Sequence, residues 1–362
     1  MEYQLMQEEW AVVKAMLPKD WEQSAREQGA LKRARGIKDA EVLLRLILLH
    51  TAGGLSLKQA AMRAEQLGLA RISSVALYKR LRVAEPWLRY LSAQMVGEMA
   101  KSLDQVGDSR RKWRLLDGTD IQESGPTGSK WRVHYSLQLP DLACDFFSLT
   151  DTSQAESLRR LPIRKGEVVM ADRAYGNRAG VAHIVDGGAD VVVRISPQLL
   201  PLLEEGGKAM DVLARLRSLQ GHACAEWDVV FEANRKRYSA RLCAVRKSAL
   251  NTQRAQKKAL RKCRCNGREI KPQTLELAGY IVVLTTLPKT AYPTSGILDL
   301  YRCRWQVELA FKRLKSLLAL GHVPKTDPDS CRGWLQGKLL AALLIDRILR
   351  QGRFFSPWGF QL

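Results

Sequence analysis

The 362-residue chain predicts a mixed α/β fold preceded by an all-helical region. Three observations carry that reading. Apolar residues keep helical spacing up to about residue 105, and the pattern then turns to short, strand-like runs. Between Ile297 and Leu320 a helix pattern separates a polar and an apolar face.

The first 105 residues read as helices. Ala40 to His50 is an apolar-rich helix ended by Gly53-Gly54. Ser56 then takes an N-cap position ahead of Leu57–Arg63. Gly68 supplies a turn, and Ser73 or Ser74 caps a short second helix, Val75–Arg82, that carries Lys79, Arg80 and Arg82. This pair, about residues 56–83, suggests a helix-turn-helix variant whose second helix would enter a DNA major groove. A helical hairpin with a solvated basic face is the plainer alternative.

From residue 112 the elements shorten. Trp113–Asp117 is a strand that ends at Gly118-Thr119. Trp131 to Leu139 alternates strictly, with Trp131, Val133, Tyr135, Leu137 and Leu139 on one side, as in a half-buried strand. Pro140-Asp141 makes a turn, and Cys144–Leu149 returns as partner. A helical piece follows at Gln154–Leu161, then a buried strand at Glu167–Asp172, a helix around Gly180–Val185 and a strand at Asp190–Ile195. Three strands, a helix, a strand, a helix and a strand match a ribonuclease-H-like mixed sheet with helices on both faces. If the strands ending at Asp117 and Asp172 are neighbours, about 4.8 Å apart, their carboxylates converge at one edge.

Residues 201–288 read as a β-rich insertion, with strand-like runs at Glu226–Glu232, Tyr238–Val245 and Leu277–Leu287. Within it, residues 246–268 hold nine Lys/Arg, among them Lys257, Lys258 and Arg261, and no acid, as a basic helical arm would. The ribonuclease-H-like core then comprises 106–200 and 289–340, and 341–362 is a C-terminal tail. In the helix over Ile297–Leu320, with Tyr301 at zero and ~100° per residue, Arg304 falls near ~300°, Glu308 near ~340° and Lys315 near ~320°. Cys303, Val307, Ala310, Phe311, Leu314, Leu317 and Leu318 fill the opposite face.

Charge narrows the partner. With 58 Lys+Arg against 37 Asp+Glu the formal charge is +21, and the sequence pI is about 9.9. Such a balance suits nucleic acid. At 46% hydrophobic and 26% charged, the chain is neither fibrous nor disordered. The best apolar run, Val42–Leu49, is broken by Arg45 and falls short of the ~18 residues of a membrane span. The start, Met1-Glu2-Tyr3-Gln4, shows no export signal. Seven irregularly spaced cysteines fit a reducing compartment, so a cytoplasmic, nucleoid-associated protein is expected. Cys263-x-Cys265 lacks a second zinc-ligand pair. Gly206-Gly207-Lys208 lacks the rest of an ATP loop.

The spacing Tyr301-x2-Arg304-x3-Glu308-x6-Lys315 resembles the YREK signature of the insertion-sequence-four family of bacterial DDE transposases. Leu116-Asp117-Gly118-Thr119 and Ala171-Asp172-Arg173-Ala174-Tyr175 resemble its first and second aspartate motifs. The resemblance implies a cut-and-paste enzyme in which Asp117, Asp172 and Glu308 coordinate two Mg2+ ions, with Mn2+ as substitute. Tyr301, Arg304 and Lys315 would hold phosphates. The partners implied are double-stranded DNA, as inverted-repeat ends and target, and a second copy of the chain; no ATP or membrane is needed. Members with a β-rich insertion often open a hairpin at the transposon end and place a flipped base on an insertion-domain tryptophan. Trp227 is the only tryptophan in 200–288, yet a core position is its commoner reading, and Trp305 is the better aromatic beside the cleavage site. Arg173 is a further candidate DNA contact. The rival expectations are a catalytically inactive, transposase-derived DNA-binding protein or repressor and, from a third direction, a ribonuclease-H-like nuclease without strand transfer.

Overall fold

A computed structural model describes residues 10–32, 36–105, 111–123, 129–139, 142–219, 221, 223–265, 267 and 269–353. The expected turn at Pro140-Asp141, Arg268 of the basic segment and residues 354–362 of the tail lie outside the described residues.

The N-terminal helices are α1 (Trp21–Glu27), α2 (Ala40–Thr51), α3 (Leu57–Gln66) and α4 (Ser74–Gln105). Their starts follow local chemistry. The Asp39 carboxylate accepts from Val42 N at 2.8 Å, Ser56 and Gln59 form a reciprocal capping box, and the Ser73 hydroxyl accepts from Ala76 N at 3.2 Å. The expected short second helix is a 32-residue helix, α4, with Pro86 inside it. Its length comes from packing: beyond Arg82 it buries Trp87, Leu88, Leu91 and Met95, and the Trp87 indole donates to Trp21 O at 3.1 Å.

The strands are β1 (Trp113–Glu123), β2 (Ser129–Leu139), β3 (Ala143–Asp151), β4 (Val168–Ala171), β5 (Asp190–Arg194), β6 (Cys224–Ala233), β7 (Lys236–Arg246), β8 (Tyr280–Thr285) and β9 (His322–Val323). They form one sheet in the order β3-β2-β1-β4-β5-β8-β7-β6, with β9 paired to β1. Strands β1, β4 and β5 are mutually parallel, and β2, β3, β7 and β8 pair antiparallel with their neighbours. The β-rich stretch therefore extends the same sheet through β8 and β7.

Helix α5 (Arg178–Asp186) and α6 (Val212–Arg217) pack on one face, where Leu116, Ala171, Val191, Val193, Leu242 and Leu284 are buried. The opposite face, with Leu115, Met170, Val192 and Val283, shares one apolar core with α1–α4, α9 (Thr294–Arg302), α10 (Trp305–Leu317) and α11 (Pro328–Arg353). Because both faces are covered, β2 is not half-buried: His134, Ser136 and Gln138, on the side expected to meet water, are buried. Only a 3-10 turn, Leu158–Arg160, forms where a helix over Gln154–Leu161 was expected. Residues 341–353, expected in the tail, belong to α11, which packs along α4. Gly333 makes that approach: a Cβ there would meet Leu81 O at 2.4 Å.

The basic segment forms α7 (Ala249–Cys265), a helix with no buried residue, against α8 (Pro272–Leu277). Its charge keeps it on the surface, since Lys and Arg heads stay in water.

Candidate active site

The sheet brings the two aspartates together by register. In the parallel pair β1–β4, Leu115 faces Met170 and Leu116 faces Ala171, so Asp117 and Asp172 are the next residues of the two strands. Side chains alternate across a sheet. Leu115 and Met170 point to the face that carries α10, Leu116 and Ala171 to the other, so the two aspartates return to the α10 side. Asp117 does not end its strand, as expected from Gly118-Thr119. It lies mid-way along an eleven-residue β1 that continues beside β2 after β4 has stopped. Asp172 leaves β4 into a turn, where its Oδ1 accepts from Ala174 N at 2.7 Å.

The signature helix is two helices. Around Cys303-Arg304, N–H groups bond three residues back: Cys303 N to Leu300 O (2.9 Å), Arg304 N to Tyr301 O (3.2 Å) and Gln306 N to Cys303 O (3.0 Å). A 3-10 step turns each residue by ~120° rather than ~100°, so the motif's phase shifts at the joint. Tyr301 ends up on α9, Arg304 at the N-cap of α10, Glu308 in the first turn of α10 and Lys315, exposed, in its last.

Arg304 joins these parts. Its Nη1 lies 3.1 Å from Asp117 Oδ2, and its Nη2 donates to Glu308 Oε1. The guanidinium also stands 5.9 Å from the centre of the Tyr301 ring. Burial acts to lower the pKa of Arg304, but Tyr301, Glu308 and Asp117 outweigh it, and the group is held above its ordinary value. Burial pushes the Asp117 carboxyl up to about 6; Gly118 N and Arg304 pull it down, while Asp172 and Glu308 push it further up. Burial also raises the Tyr301 hydroxyl to about 12, so it is a donor at any physiological pH.

The donor chemistry fits a divalent cation. Asp117 and Asp172 offer hard oxygen ligands from adjacent register, and each acid raises the cost of ionising Asp117, a repulsion that a dication relieves. Glu308, 56% exposed at its side chain, reaches Asp117 only through Arg304 in this conformation. Among the described residues no three His, Cys, Asp or Glu side chains converge closely enough to hold a metal.

The other expected contacts divide by place. Arg173 is exposed beside Asp172, and the Trp305 side chain is 53% exposed beside Arg304. Lys257, Lys258 and Arg261 are exposed on α7; Lys79 is exposed and Arg80 half-buried on α4. Arg82 is engaged, with Nε 3.2 Å from Asp327 and Nη2 3.2 Å from Asp329. Trp227 is half-buried on β6. Cys263 and Cys265 are free thiols. Asp120 and Asp145, near the active strands, pair with Arg132 and Arg114.

Sequence reasoning missed the support behind Gly118. A Cβ at Gly118 would lie 2.9 Å from Glu156 Oε1 and 2.9 Å from the Tyr175 hydroxyl. That hydroxyl is 3.0 Å from His134 Nδ1, and His134 Nε2 is 3.0 Å from Thr150 Oγ1. These residues come from three strands and two loops, and no local pattern links them. Gly118→Ala is expected to cost about 1–3 kcal/mol, the usual range for overpacking, read as a loss of thermal stability. An unchanged melting temperature would show that Glu156 and Tyr175 move aside freely.

A domain of this order and chemistry defines a class, the DDE phosphodiester-transferring enzymes of mobile DNA. The family model "Transposase DDE domain" matches residues 149–344. The transposase of insertion sequence element IS421 from Escherichia coli is 36% identical over 357 residues, covering 96% of each chain. InsL of Escherichia coli strain K12, ascribed to insertion sequence element IS186A as its transposase, is 36% identical over 356 residues, again 96% of each chain. The transposase of IS231F from Bacillus thuringiensis subsp. israelensis is 28% identical over 135 residues, 37% of this chain and 28% of that relative. The chain belongs to the DDE transposases of bacterial insertion sequences, and its Tyr-Arg-Glu-Lys spacing fits the insertion-sequence-four group. No described helix is long and apolar enough to cross a membrane.

Proposed function

We propose that this chain is the cut-and-paste transposase of an insertion sequence. It binds terminal inverted repeats, pairs two ends as a dimer, and performs metal-dependent cleavage and strand transfer. The ribonuclease-H-like reading of the core rests on the β3-β2-β1-β4-β5 order with β1, β4 and β5 parallel. One observation supports the active-site reading: Arg304 hydrogen-bonds both Asp117 and Glu308, beside the paired strand positions Leu116 and Ala171 that Asp117 and Asp172 follow.

Asp117, Asp172 and Glu308 would hold two Mg2+ ions. Held there, they would serve to activate a water or 3′-hydroxyl and to stabilise the leaving oxygen. The chain's own part is orientation. Arg304 presents a fork that fits two phosphate oxygens, and Lys315 adds a point charge. The protonated Tyr301 hydroxyl donates to a third oxygen. Once Arg304 turns to a phosphate, Glu308 is released to close on the aspartates. Exposed Arg173, Trp305 and the cations of α7 extend the DNA path from this centre.

Glu308→Gln removes one ligand charge at an exposed position and leaves the fold in place. DNA binding is expected within twofold of the parent, and Mg2+-dependent strand cleavage is expected to fall about a thousandfold, ~4 kcal/mol. Retained cleavage in this variant sinks the assignment. One observation favours the rival, an inactive DNA-binding protein: Arg304 stands between the first and third acids. Mg2+-dependent nicking of a transposon-end duplex by the unaltered chain overturns that rival.

A further inference from the structure

The first three turns of α4 have a face that the catalytic reading does not use. With Val75 at zero and ~100° per residue, Arg82 falls near ~340°, Lys79 near ~40° and Val83 near ~80°. The buried Leu77, Leu81 and Ala84 lie between about 180° and 240° on the same wheel. The exposed arc thus looks directly away from the core. Val75 is 61% exposed and Val83 48%, and Lys79 between them is exposed as well. Single exposed valines are ordinary. Two of them two turns apart, flanking a cation on the outermost line of a helix, make a patterned surface.

Charge selects the occupant. Residues 71–83 contain Arg71, Lys79, Arg80 and Arg82 and no acid; Arg71 pairs with Glu65 and Arg82 with Asp327 and Asp329, so the exposed arc's surplus positive charge is carried by Lys79. A polyanion is the partner that complements such a surface. The arc's orientation is fixed at its edge: Arg82 is clamped to Asp327 and Asp329 at the start of α11, and its guanidinium lies 6.0 Å from the Tyr78 ring centre. That clamp ties the helix to the framework of the catalytic sheet.

Building on the reading that the N-terminal helices bind transposon ends, we propose that Val75, Lys79 and Val83 are specificity-determining residues seated in a DNA major groove. Val75 and Val83 pack on thymine methyl groups, and Lys79 donates to a guanine edge. Apolar side chains recognise the thymine C5-methyl, and a lysine recognises guanine O6 and N7.

The test uses the full chain and a random-sequence duplex pool, followed by measurement on the selected duplex. The parent chain is expected to enrich a motif in which thymines flank a guanine. Replacing those thymines with deoxyuridine removes only the methyl groups. It is expected to weaken the parent about fourfold per methyl and to leave Val75→Ser/Val83→Ser unaffected. Lys79→Ala is expected to lose about tenfold on the selected duplex and its preference for guanine. Two outcomes overturn the inference alone: a selected motif whose binding ignores deoxyuridine, or equal sensitivity in parent and double variant. A third does so if light scattering shows a dimer that Val75→Glu/Val83→Glu abolishes without altering the selected motif, because the face is then a protein interface. If the parent selects no motif, the end-binding reading falls and this inference with it.

Discussion

Arg304→Ala is expected to lower DNA strand cleavage about a thousandfold, ~4 kcal/mol, as losing a positioned phosphate donor does. The same change is expected to tighten Mn2+ binding without DNA by about tenfold, because a cation that competes for the Asp117 and Glu308 oxygens is gone. The two effects have opposite signs, which distinguishes a positioning cation from a structural one. Arg304→Lys keeps the charge and loses the planar fork, so it should recover only a small part of the cleavage. Calorimetric titration of Mn2+ into both proteins checks the first half of the argument. Equal affinities would mean that the guanidinium does not compete for these oxygens.

Asp117→Asn is expected to stabilise the metal-free protein at pH 8 by about 3 kcal/mol. Asp117 moves from 3.8 to about 6 on folding, chiefly through burial, and each unit corresponds to ~1.36 kcal/mol. A carboxyl whose folded value is raised binds a proton more readily in the native state. Between about pH 4 and 6 the folded chain then holds more protons than the unfolded one, and stability falls as pH rises through that window. His50 and His134 act the other way: burial first holds each at about 4 rather than 6.5, so their contribution is lost as pH falls. The difference between parent and Asp117→Asn removes those common contributions. Denaturant melts at pH 4, 6 and 8 should show the gap opening with pH, and excess Mg2+ should narrow it at pH 8. A gap independent of pH would place Asp117 in solvent.

Much of this site was legible in the sequence because it is encoded locally. The apolar runs before Asp117 and Asp172 mark the strands that lead to them, and the strand order makes those strands neighbours in register. The caps at Asp39, Ser56 and Ser73 act over three residues and form as their residue types require. The signature residues were visible as a spacing; the single helix drawn through them is two helices that meet at Cys303-Arg304, while Arg304 still reaches Glu308 and stands beside the Tyr301 ring. Arg304 also reaches a carboxylate 187 positions earlier, a contact that no local pattern reports.

The sequence by itself determined the family, the candidate acids and the basic surfaces, since residue type and short spacing define those. Tertiary structure alone decided that β2 is covered on both faces, that Arg82 serves Asp327 and Asp329, and that Glu156 and Tyr175 press on Gly118. It also decided that Arg304 stands between two of the acids. The physical reason is range. Backbone propensity and capping act within a turn or two of chain, whereas burial, charge pairing and steric contact act across space and need the completed fold to bring distant residues together.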